Sequence, residues 1–298
     1  MCLELNKGPI VSALRQYEFL VLFPVNPLTL ATYREAFTPS RATDDPTEAA
    51  LQVELRLTHR DKLTPLTPHS PTMRALAQLV EHRRRVVGDT VRLTHRLTRA
   101  LKNSFPHVLQ WFPDKDPVRL CDFLSRWPTL KAAQLARRTT LEAFFRAQHV
   151  RAADVIDSRL QAIKSASAWT TADGVITPHA LLVQALIAPL RVTLQAIADC
   201  DTAIAQRPQA HPDFPLFEAL PGAGAVFAPR LLVAFGEQRE RFTSAEDLQN
   251  YAGMAPGTER RGKKSWVHWR LQCPKFLRQT CVEWAAESTR HSFWAQVY

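Results

Sequence analysis

The stretch LFEALPGAGAVFAPRLLVAFG, residues 216–236, decides how the C-terminal part of the chain folds. The tetrad Pro221–Gly224 separates two apolar segments, which predicts a short helix ending at Leu220, a tight turn, and a second helix beginning near Val226. This is the pattern of a helix-hairpin-helix, in which glycines let the backbone approach a phosphate and the second helix offers free N–H groups. A plain helical hairpin with a glycine turn fits the motif equally well, but Arg230 and the basic residues downstream favour DNA.

A strongly basic segment follows this motif. Between residues 260 and 278 there is no acidic residue, and Trp266 and Trp269 are interleaved with the cations. Uncompensated cations beside rings that can stack on bases suit nucleic acid. Tryptophans are more often core residues, however, and the alternation of Trp266, His268 and Arg270 also fits one face of a strand. We therefore predict nucleic-acid contacts for Arg260, Arg261, Lys263, Lys264, Trp266, Arg270, Lys275 and Arg278, together with Gly222, Gly224 and Arg230 of the turn motif.

Upstream of residue 208, the sequence is helical over a long stretch. Apolar side chains recur at near-helical spacing from Met73 to Lys102 and again from Pro178 to Ala205. These two segments are predicted to be long helices that pair as an antiparallel hairpin or coiled coil. The other face of the first helix is basic. Shorter helices are predicted around residues 116–125, 139–148 and 153–166.

The N-terminal residues alternate between strand and helix patterns. Residues 1–5 and the apolar run FLVLFPV, residues 19–25, are predicted strands, and the second is apolar throughout, as expected of a strand covered on both faces. Two short strands do not make a stable sheet, so we interpret the segment as a fragment of an α/β layer whose earlier strands are absent. Helices are predicted at residues 8–17, 27–37 and 46–57.

The composition indicates an acidic partner in a reducing compartment. The 298 residues carry a net charge of +10, for which nucleic acid is the commonest partner and an anionic membrane face the second. The five cysteines are dispersed without a C-x-x-C pair, which predicts neither a disulfide framework nor a zinc site. No signal peptide is recognisable, and the most apolar window, residues 181–190, is too short to span a bilayer. We therefore expect a cytoplasmic protein without membrane contact.

Three carboxylates are candidates for a metal site. Glu4 lies within a predicted strand, where a carboxylate is costly unless it is at an edge or in a site. Asp45 and Glu48 are three residues apart at a helix start, so both can face the same way and hold Mg²⁺ for phosphoryl transfer. The sequence DPTE also fits a capping box, and taken alone these residues favour that interpretation. No G-x-S-x-G, H-E-x-x-H or P-loop motif is present.

Taken together, these segments resemble the DEDD-type insertion-sequence transposases. The matching stretches, in family order, are LELNKGPIVSAL, LFPVNPLTLATYREAF, TPSRATDDPTEA, LPGAGAVFAPRLL, RFTSAEDLQNYAGMAP and the segment from KSWVHWR to FLRQT. The resemblance implies a fold in three parts. Residues 1–69 would be an α/β fragment of an RNase H-like (RuvC-like) domain, residues 70–207 a helical coiled-coil region, and residues 208–298 a small helical C-terminal transposase domain with a helix-hairpin-helix.

The resemblance also implies a catalytic set of four acidic residues that bind Mg²⁺ and a C-terminal serine that attacks DNA. Glu4 matches the second acidic position, Asp45 the third, and Glu48 the fourth, where aspartate is usual. The first acidic residue of the family would precede the first residue of this chain. Arg261 stands where the family has its serine, and arginine is not a nucleophile. We therefore expect a copy that is truncated at both ends and impaired in catalysis.

The leading hypothesis is an insertion-sequence transposase that binds DNA and takes part in transposition and recombination. By resemblance, its cofactor would be Mg²⁺, and its partners would be DNA, a structured guide RNA (a bridge RNA) and further copies of itself as a homo-oligomer. Two alternatives stay open. One is a RuvC-like nuclease that resolves branched DNA with carboxylates alone. The other is a non-enzymatic nucleic-acid-binding remnant that pairs with or regulates an intact relative.

Overall fold

Helices make up most of the chain that the structure describes. The computed structural model describes residues 1–5, 8–37, 45–67, 69–112, 117–150, 152–207, 211–270 and 273–297. Its residues divide into two units, Met1–Ser70 and Pro71–Tyr298, which we call unit 1 and unit 2.

The described residues of unit 1 form two short parallel strands, three α-helices and a 3-10 helix at Arg60–Lys62. In chain order the strands and α-helices are β1 (Cys2–Leu3), α1 (Pro9–Leu14), β2 (Phe23–Pro24), α2 (Pro27–Phe37) and α3 (Asp45–Thr58). The strands pair through backbone bonds from Phe23 N–H to the Met1 carbonyl at 2.8 Å and from Val25 N–H to the Leu3 carbonyl at 2.7 Å. A small core forms where Val25, Leu30 and Leu55 pack together. The predicted order of strands and helices is thus present in the described part of unit 1.

The second strand is shorter than its apolar sequence predicts. Only Phe23 and Pro24 have ladder partners in β1, and residues 19–22 of the apolar run do not pair with it. Leu22, Phe23 and Val25 are buried, whereas Phe19 is 79% exposed. The prediction of a strand covered on both faces from residue 19 to 25 was therefore wrong for the first half of the run. A continuous apolar run does not by itself show how many of its residues are buried in the folded protein.

Unit 2 begins with a helical region organised by two long helices. Its elements are α4 (Pro71–Ser104), α5 (Val108–Trp111), α6 (Pro117–Arg126), α7 (Leu130–Leu135), α8 (Arg138–Ala147), α9 (Ala153–Ser165) and α10 (Asp173–Ala205). Helices α4 and α10 run antiparallel, because Arg83 binds Asp201 near one end while Asn103 Nδ2 lies 3.2 Å from His179 Nε2 near the other. The antiparallel pairing of the two long predicted helices is therefore present.

The C-terminal segment of unit 2 adds further helices and one β-hairpin. Its elements are α11 (Phe214–Glu218), α12 (Gly224–Phe235), α13 (Ala245–Ala252), β3 (Gly257–Arg261), β4 (Lys264–His268), α14 (Lys275–Ser288) and α15 (Phe293–Val297). Helix α13 begins after Ser244, whose hydroxyl accepts a hydrogen bond from the Asp247 N–H at 3.1 Å. The hairpin of β3 and β4 was not predicted.

Two large apolar cores stabilise unit 2, with a smaller cluster of Ala252, Leu277 and Cys281 between α13 and α14. One lies where the middle helices pack on α4 and α10, around Phe123, Phe145 and Leu190. The other joins Leu76 of α4 to Leu231 of α12 and the aromatic side chains of α11. The predicted boundary between residues 207 and 208 therefore separates segments that share one core.

Helix α10 is the one described helix that is long and apolar enough to cross a membrane by length and composition alone. Val183, Leu186 and Leu190 on its inner face are buried in the first core. Its apolar sequence is accounted for in part by packing as a core helix of unit 2.

Candidate nucleic-acid interface and acidic site

The predicted basic segment begins with an antiparallel hairpin of residues 257–268, which we call the ribbon. Gly257 pairs with His268 at its base and Arg261 with Lys264 at its tip. Gly262 and Lys263 form the two-residue turn, and Gly262 has φ +59°, the left-handed conformation that the first turn position of a tight hairpin favours in glycine. In both strands, every residue except Gly257 is exposed.

The ribbon carries cations on both faces and at its tip. Side chains alternate along a strand, so Arg261 and Lys264 share one face with Trp266, while Arg260 lies on the other face and Lys263 in the turn. We call these residues the ribbon cations: Arg260, Arg261, Lys263 and Lys264. Within the described part of the chain they make no ion pair. Their charges therefore remain available to an external anion.

Two of the predicted contact residues fasten the base of the ribbon to the body of unit 2. The Arg270 Nε donates to the Ala255 carbonyl at 3.2 Å, and the Arg278 Nη1 donates to the Arg270 carbonyl at 3.3 Å. The Arg278 guanidinium also lies 4.9 Å from the ring centroid of Trp269. Both arginines are half-buried, whereas Lys275 is exposed. The positions of Arg270 and Arg278 indicate a structural role that sequence reasoning did not separate from binding.

Most of the Arg230 side chain is buried, whereas a side chain that contacts DNA phosphates is exposed at the surface. Its side chain is only 11% exposed, and its Nη1 binds the Glu283 Oε2 at 2.5 Å. The guanidinium carbon also lies 5.5 Å from the Phe227 ring centroid and 5.9 Å from that of Phe276. The DNA contact of Arg230 stays a prediction, but the structure gives its charge a partner within the protein, 53 residues later in the chain.

The two turn glycines of residues 221–224 have different surroundings. Gly222 has φ +71°, and a Cβ added there would lie 3.1 Å from the backbone of Ser288. Gly224 has φ +48°, and a Cβ added there would have no atom within 4 Å. The Trp284 indole N–H donates to the Pro221 carbonyl at 2.9 Å, which fixes the turn against α14. The close approach made by Gly222 is thus to the protein itself, and only Gly224 leaves room for an external group.

The basic face of α4 is partly neutralised within unit 2. The guanidinium of Arg84 donates two hydrogen bonds to Glu81, both at 2.9 Å, and Arg85 adds a third at 3.0 Å. The hydrogen bonds from Arg84, followed by those from Arg85, lower the pKa of Glu81 to about 2. Arg83 binds Asp201 in the same way. The exposed cations of this helix without an ion pair among the described residues are Arg74, Arg96, Arg99 and Lys102.

The three candidate carboxylates of unit 1 lie on or beside α3. Glu4, which follows β1, accepts a hydrogen bond from Gln52 Nε2 at 3.4 Å, and Gln52 lies one turn beyond Glu48 on α3. Glu48 in turn accepts from Arg34 Nη1 at 3.4 Å. Asp45 is the first residue of α3 and is exposed. Sequence reasoning missed Gln52 and Arg34, since neither residue type suggests a metal site.

Two family models match the chain. One, the DEDD-type domain of IS110 elements, has the description "Transposase" and matches residues 3–106. The other, "Transposase IS116/IS110/IS902 family", matches residues 215–298 and so includes the ribbon. Together the two matches cover well over half of the chain.

Three relatives come from insertion elements. The "Mini-circle putative transposase for IS117" of Streptomyces coelicolor is 27% identical over 291 residues, which are 96% of this chain and 70% of the relative. The "Insertion element IS900 uncharacterized 42 kDa protein" of Mycobacterium paratuberculosis is 27% identical over 76% of this chain. The "Insertion element IS110 uncharacterized 43.6 kDa protein" of S. coelicolor is 25% identical over 75%. The chain spans 50% and 55% of the length of these last two relatives.

These matches define the class of protein as insertion-sequence transposases. The chain belongs to the IS116/IS110/IS902 transposase family, and the resemblance stated from its sequence is confirmed. The DEDD-type match implies an RNase H-like fold for the N-terminal part and dependence on a divalent metal ion.

The described residues do not fit such a metal site. Among them there is no group of three or more His, Cys, Asp or Glu side chains that could hold an ion together. One oxygen of Glu48 lies 3.4 Å from the Arg34 guanidinium, and Glu4 accepts a hydrogen bond from Gln52.

Proposed function

We propose that the chain acts in insertion-sequence transposition in the cytoplasm mainly as a DNA-binding protein, and that the ribbon is its principal DNA contact. The observation that carries this proposal is the exposed state of the ribbon cations, which have no acidic partner among the described residues. Each phosphate that such a cation neutralises releases a bound counterion, which favours binding.

The distribution of charge supports the same assignment. Residues 1–70 carry seven Lys and Arg against eight Asp and Glu, whereas residues 71–298 carry 31 against 20. All of the net positive charge of the protein therefore belongs to unit 2. The exposed cations of α4 and Lys275 extend the positive surface beyond the ribbon.

The turn of residues 221–224 is a secondary contact in this proposal. The short helix, glycine turn and longer helix of a helix-hairpin-helix are represented by α11, the turn and α12. Gly224 and the first N–H groups of α12 would approach a phosphate, while Gly222 and Arg230 hold the turn in place.

Catalysis by this chain alone is impaired in our proposal. Arg261, at the position where the resemblance places the family serine, is the last residue of β3, and its guanidinium cannot attack a phosphodiester. The ion pair of Glu48 with Arg34 favours the non-enzymatic DNA-binding alternative over a junction nuclease. The test is incubation of a four-way DNA junction with the protein and Mg²⁺. Cleavage that disappears in Asp45→Ala would instead establish the nuclease.

The proposed partners of the protein also include further copies of itself and a structured RNA. The antiparallel pair of α4 and α10 would extend into a coiled coil with other protomers, and the family's guide RNA would compete with DNA for the basic surface of unit 2. Sedimentation measurements and competition binding with a folded RNA test these two points. A monomer at all concentrations would contradict the first, and a folded RNA that does not displace DNA would contradict the second.

The experiment that tests the DNA-binding proposal is a salt series. We expect log Kd for duplex DNA to vary linearly with log salt, and replacement of the four ribbon cations by glutamine to lower the slope by about 3–4, at roughly 0.9 per phosphate contact. The matched control removes the same charge from exposed positions of the helical region and should leave the slope nearly unchanged. It replaces Lys131 and Arg137, which make no ion pair among the described residues, and is compared with a ribbon variant that loses two of the four cations. Equal slopes for the ribbon variant and the unaltered protein would overturn the proposal.

A further inference from the structure

We propose that the ribbon enters the major groove of double-stranded DNA and contacts phosphates on both walls of the groove. This inference rests on the proposed function, since it assumes that the ribbon cations bind DNA. It adds which form of nucleic acid is bound and how the hairpin is oriented on it.

The dimensions of the ribbon fit this groove. Each strand has five residues, which at about 3.4 Å per residue gives a length of about 17 Å, and its two strands lie about 4.8 Å apart. The major groove of B-DNA, about 12 Å wide, admits a two-stranded ribbon, whereas its minor groove is about 6 Å wide. The major groove of an RNA duplex is deep and narrow. The shape therefore selects duplex DNA.

The placement of the cations argues for insertion over flat docking. A hairpin that lies flat on a nucleic acid needs cations only on the face that it applies. Here Arg261 and Lys264 point to one side of the ribbon and Arg260 to the other, with Lys263 at the tip. In a groove, phosphates flank both sides of an inserted element, so each face finds an anion.

Thr258, Val267 and Trp266 of the ribbon suit base edges, whereas Glu259, the cross-strand partner of Trp266, adds one negative charge to the face of Arg261 and Lys264. Thr258 and Val267 are cross-strand neighbours on the face of Arg260, and Trp266 lies on the opposite face beside the tip cations. Val267 is 69% exposed and Trp266 47% exposed, so unit 2 leaves much of their apolar surface in water. Apolar contact with thymine methyl groups, which lie in the major groove, would cover this surface.

The experiment compares the two faces on several nucleic acids. Arg260→Gln removes the cation of one face, and Arg261→Gln with Lys264→Gln removes those of the other. We expect both variants to weaken duplex DNA binding, lowering the salt slope by about 1 and about 2 respectively. The conservative variant Arg260→Lys should keep the slope of the unaltered protein, which separates loss of charge from disturbance of the hairpin.

Groove-specific probes complete the test. DNA that carries glucosylated 5-hydroxymethylcytosine, which fills the major groove, should bind at least tenfold more weakly, while duplex saturated with a minor-groove drug should bind as before. The reverse result, or a full slope in Arg260→Gln, would overturn groove insertion, as would equal affinity for an RNA duplex. If removal of all four ribbon cations leaves DNA affinity unchanged, the proposed function itself fails. If that removal weakens binding while the groove probes have no effect, only the present inference fails.

Discussion

A substitution of Arg230 can distinguish a residue that stabilises unit 2 from a residue that binds DNA. Arg230→Met keeps the aliphatic stem of the side chain and removes the guanidinium that binds Glu283. We expect this variant to lose stability and to keep its affinity for DNA.

The structure sets the size of the loss. Breaking a buried ion pair by removing one partner costs about 3–5 kcal/mol, whereas exposed pairs contribute about 0–1 kcal/mol. Arg230 is 11% exposed but Glu283 is 41% exposed and keeps a hydrogen bond from Gln279 Nε2 at 2.7 Å. In addition, Nε and Nη2 of Arg230 are buried without a hydrogen-bond partner, which lowers the net contribution of the guanidinium. We therefore expect a loss of about 2 kcal/mol, between the two limits.

The assay is thermal and urea unfolding of the full chain, with DNA affinity measured on the same samples. For a unit of this size, about 2 kcal/mol corresponds to a decrease in Tm of roughly 4–8 °C. Glu283→Gln should also destabilise unit 2, and the double variant should lose less than the sum of the two single changes because the ion pair is then already absent. An unchanged Tm together with a tenfold weaker DNA affinity in Arg230→Met would refute this reasoning and return Arg230 to the DNA interface.

Two further predictions concern the turn and the acid dependence of unit 2. Gly222→Ala should lower the free energy of unfolding by about 1–2 kcal/mol because of the positive φ, and further because the new Cβ would lie 3.1 Å from the Ser288 backbone. In the control Gly224→Ala only the cost of the positive φ applies, so urea unfolding should show a smaller loss of stability. Equal losses in the two variants would contradict this account. The Glu81 carboxylate has a pKa lowered to about 2 from 4.5 by its hydrogen bonds with Arg84, so its contribution to stability is complete above pH 4.5 and is lost as the pH falls through 2. Glu81→Gln should therefore show a smaller decrease in unfolding free energy than the unaltered protein between pH 4.5 and pH 2, and parallel curves for the two proteins would count against it.

The long helices of unit 2 could be predicted from the sequence because their apolar residues repeat over many turns. The observed bounds of α4 and α10 extend those predictions by a few residues. A helix cap is an equally local feature, since in the Ser244 cap of α13 the two bonded residues are three positions apart. Periodicity and capping are properties of neighbouring residues, so one sequence is enough to recognise them.

The ribbon and the surroundings of Arg230 could not be predicted in the same way. A buried strand leaves an alternating apolar pattern, but β3 and β4 are exposed on both faces and their sequences, GTERR and KSWVH, carry little of it. The Gly262-Lys263 turn was the one local signal for a hairpin. The partner of Arg230 lies on a different helix, and no pattern near residue 230 indicates that Glu283 will be its neighbour.

Whether a cation already has an acidic partner within this transposase-family protein decides how much it should contribute to DNA binding. A cation already bound to its own carboxylate, as Arg84 is to Glu81, must weaken that pair before it can neutralise a phosphate, and it releases fewer counterions when it does. The ribbon cations have no such pair among the described residues, so each should contribute its full share to the salt slope. Substitution of Arg84 should therefore affect the stability of unit 2 more than its DNA affinity. Substitution of Lys264 should affect DNA affinity more than stability. The net charge of +10 alone would have assigned the two residues the same role.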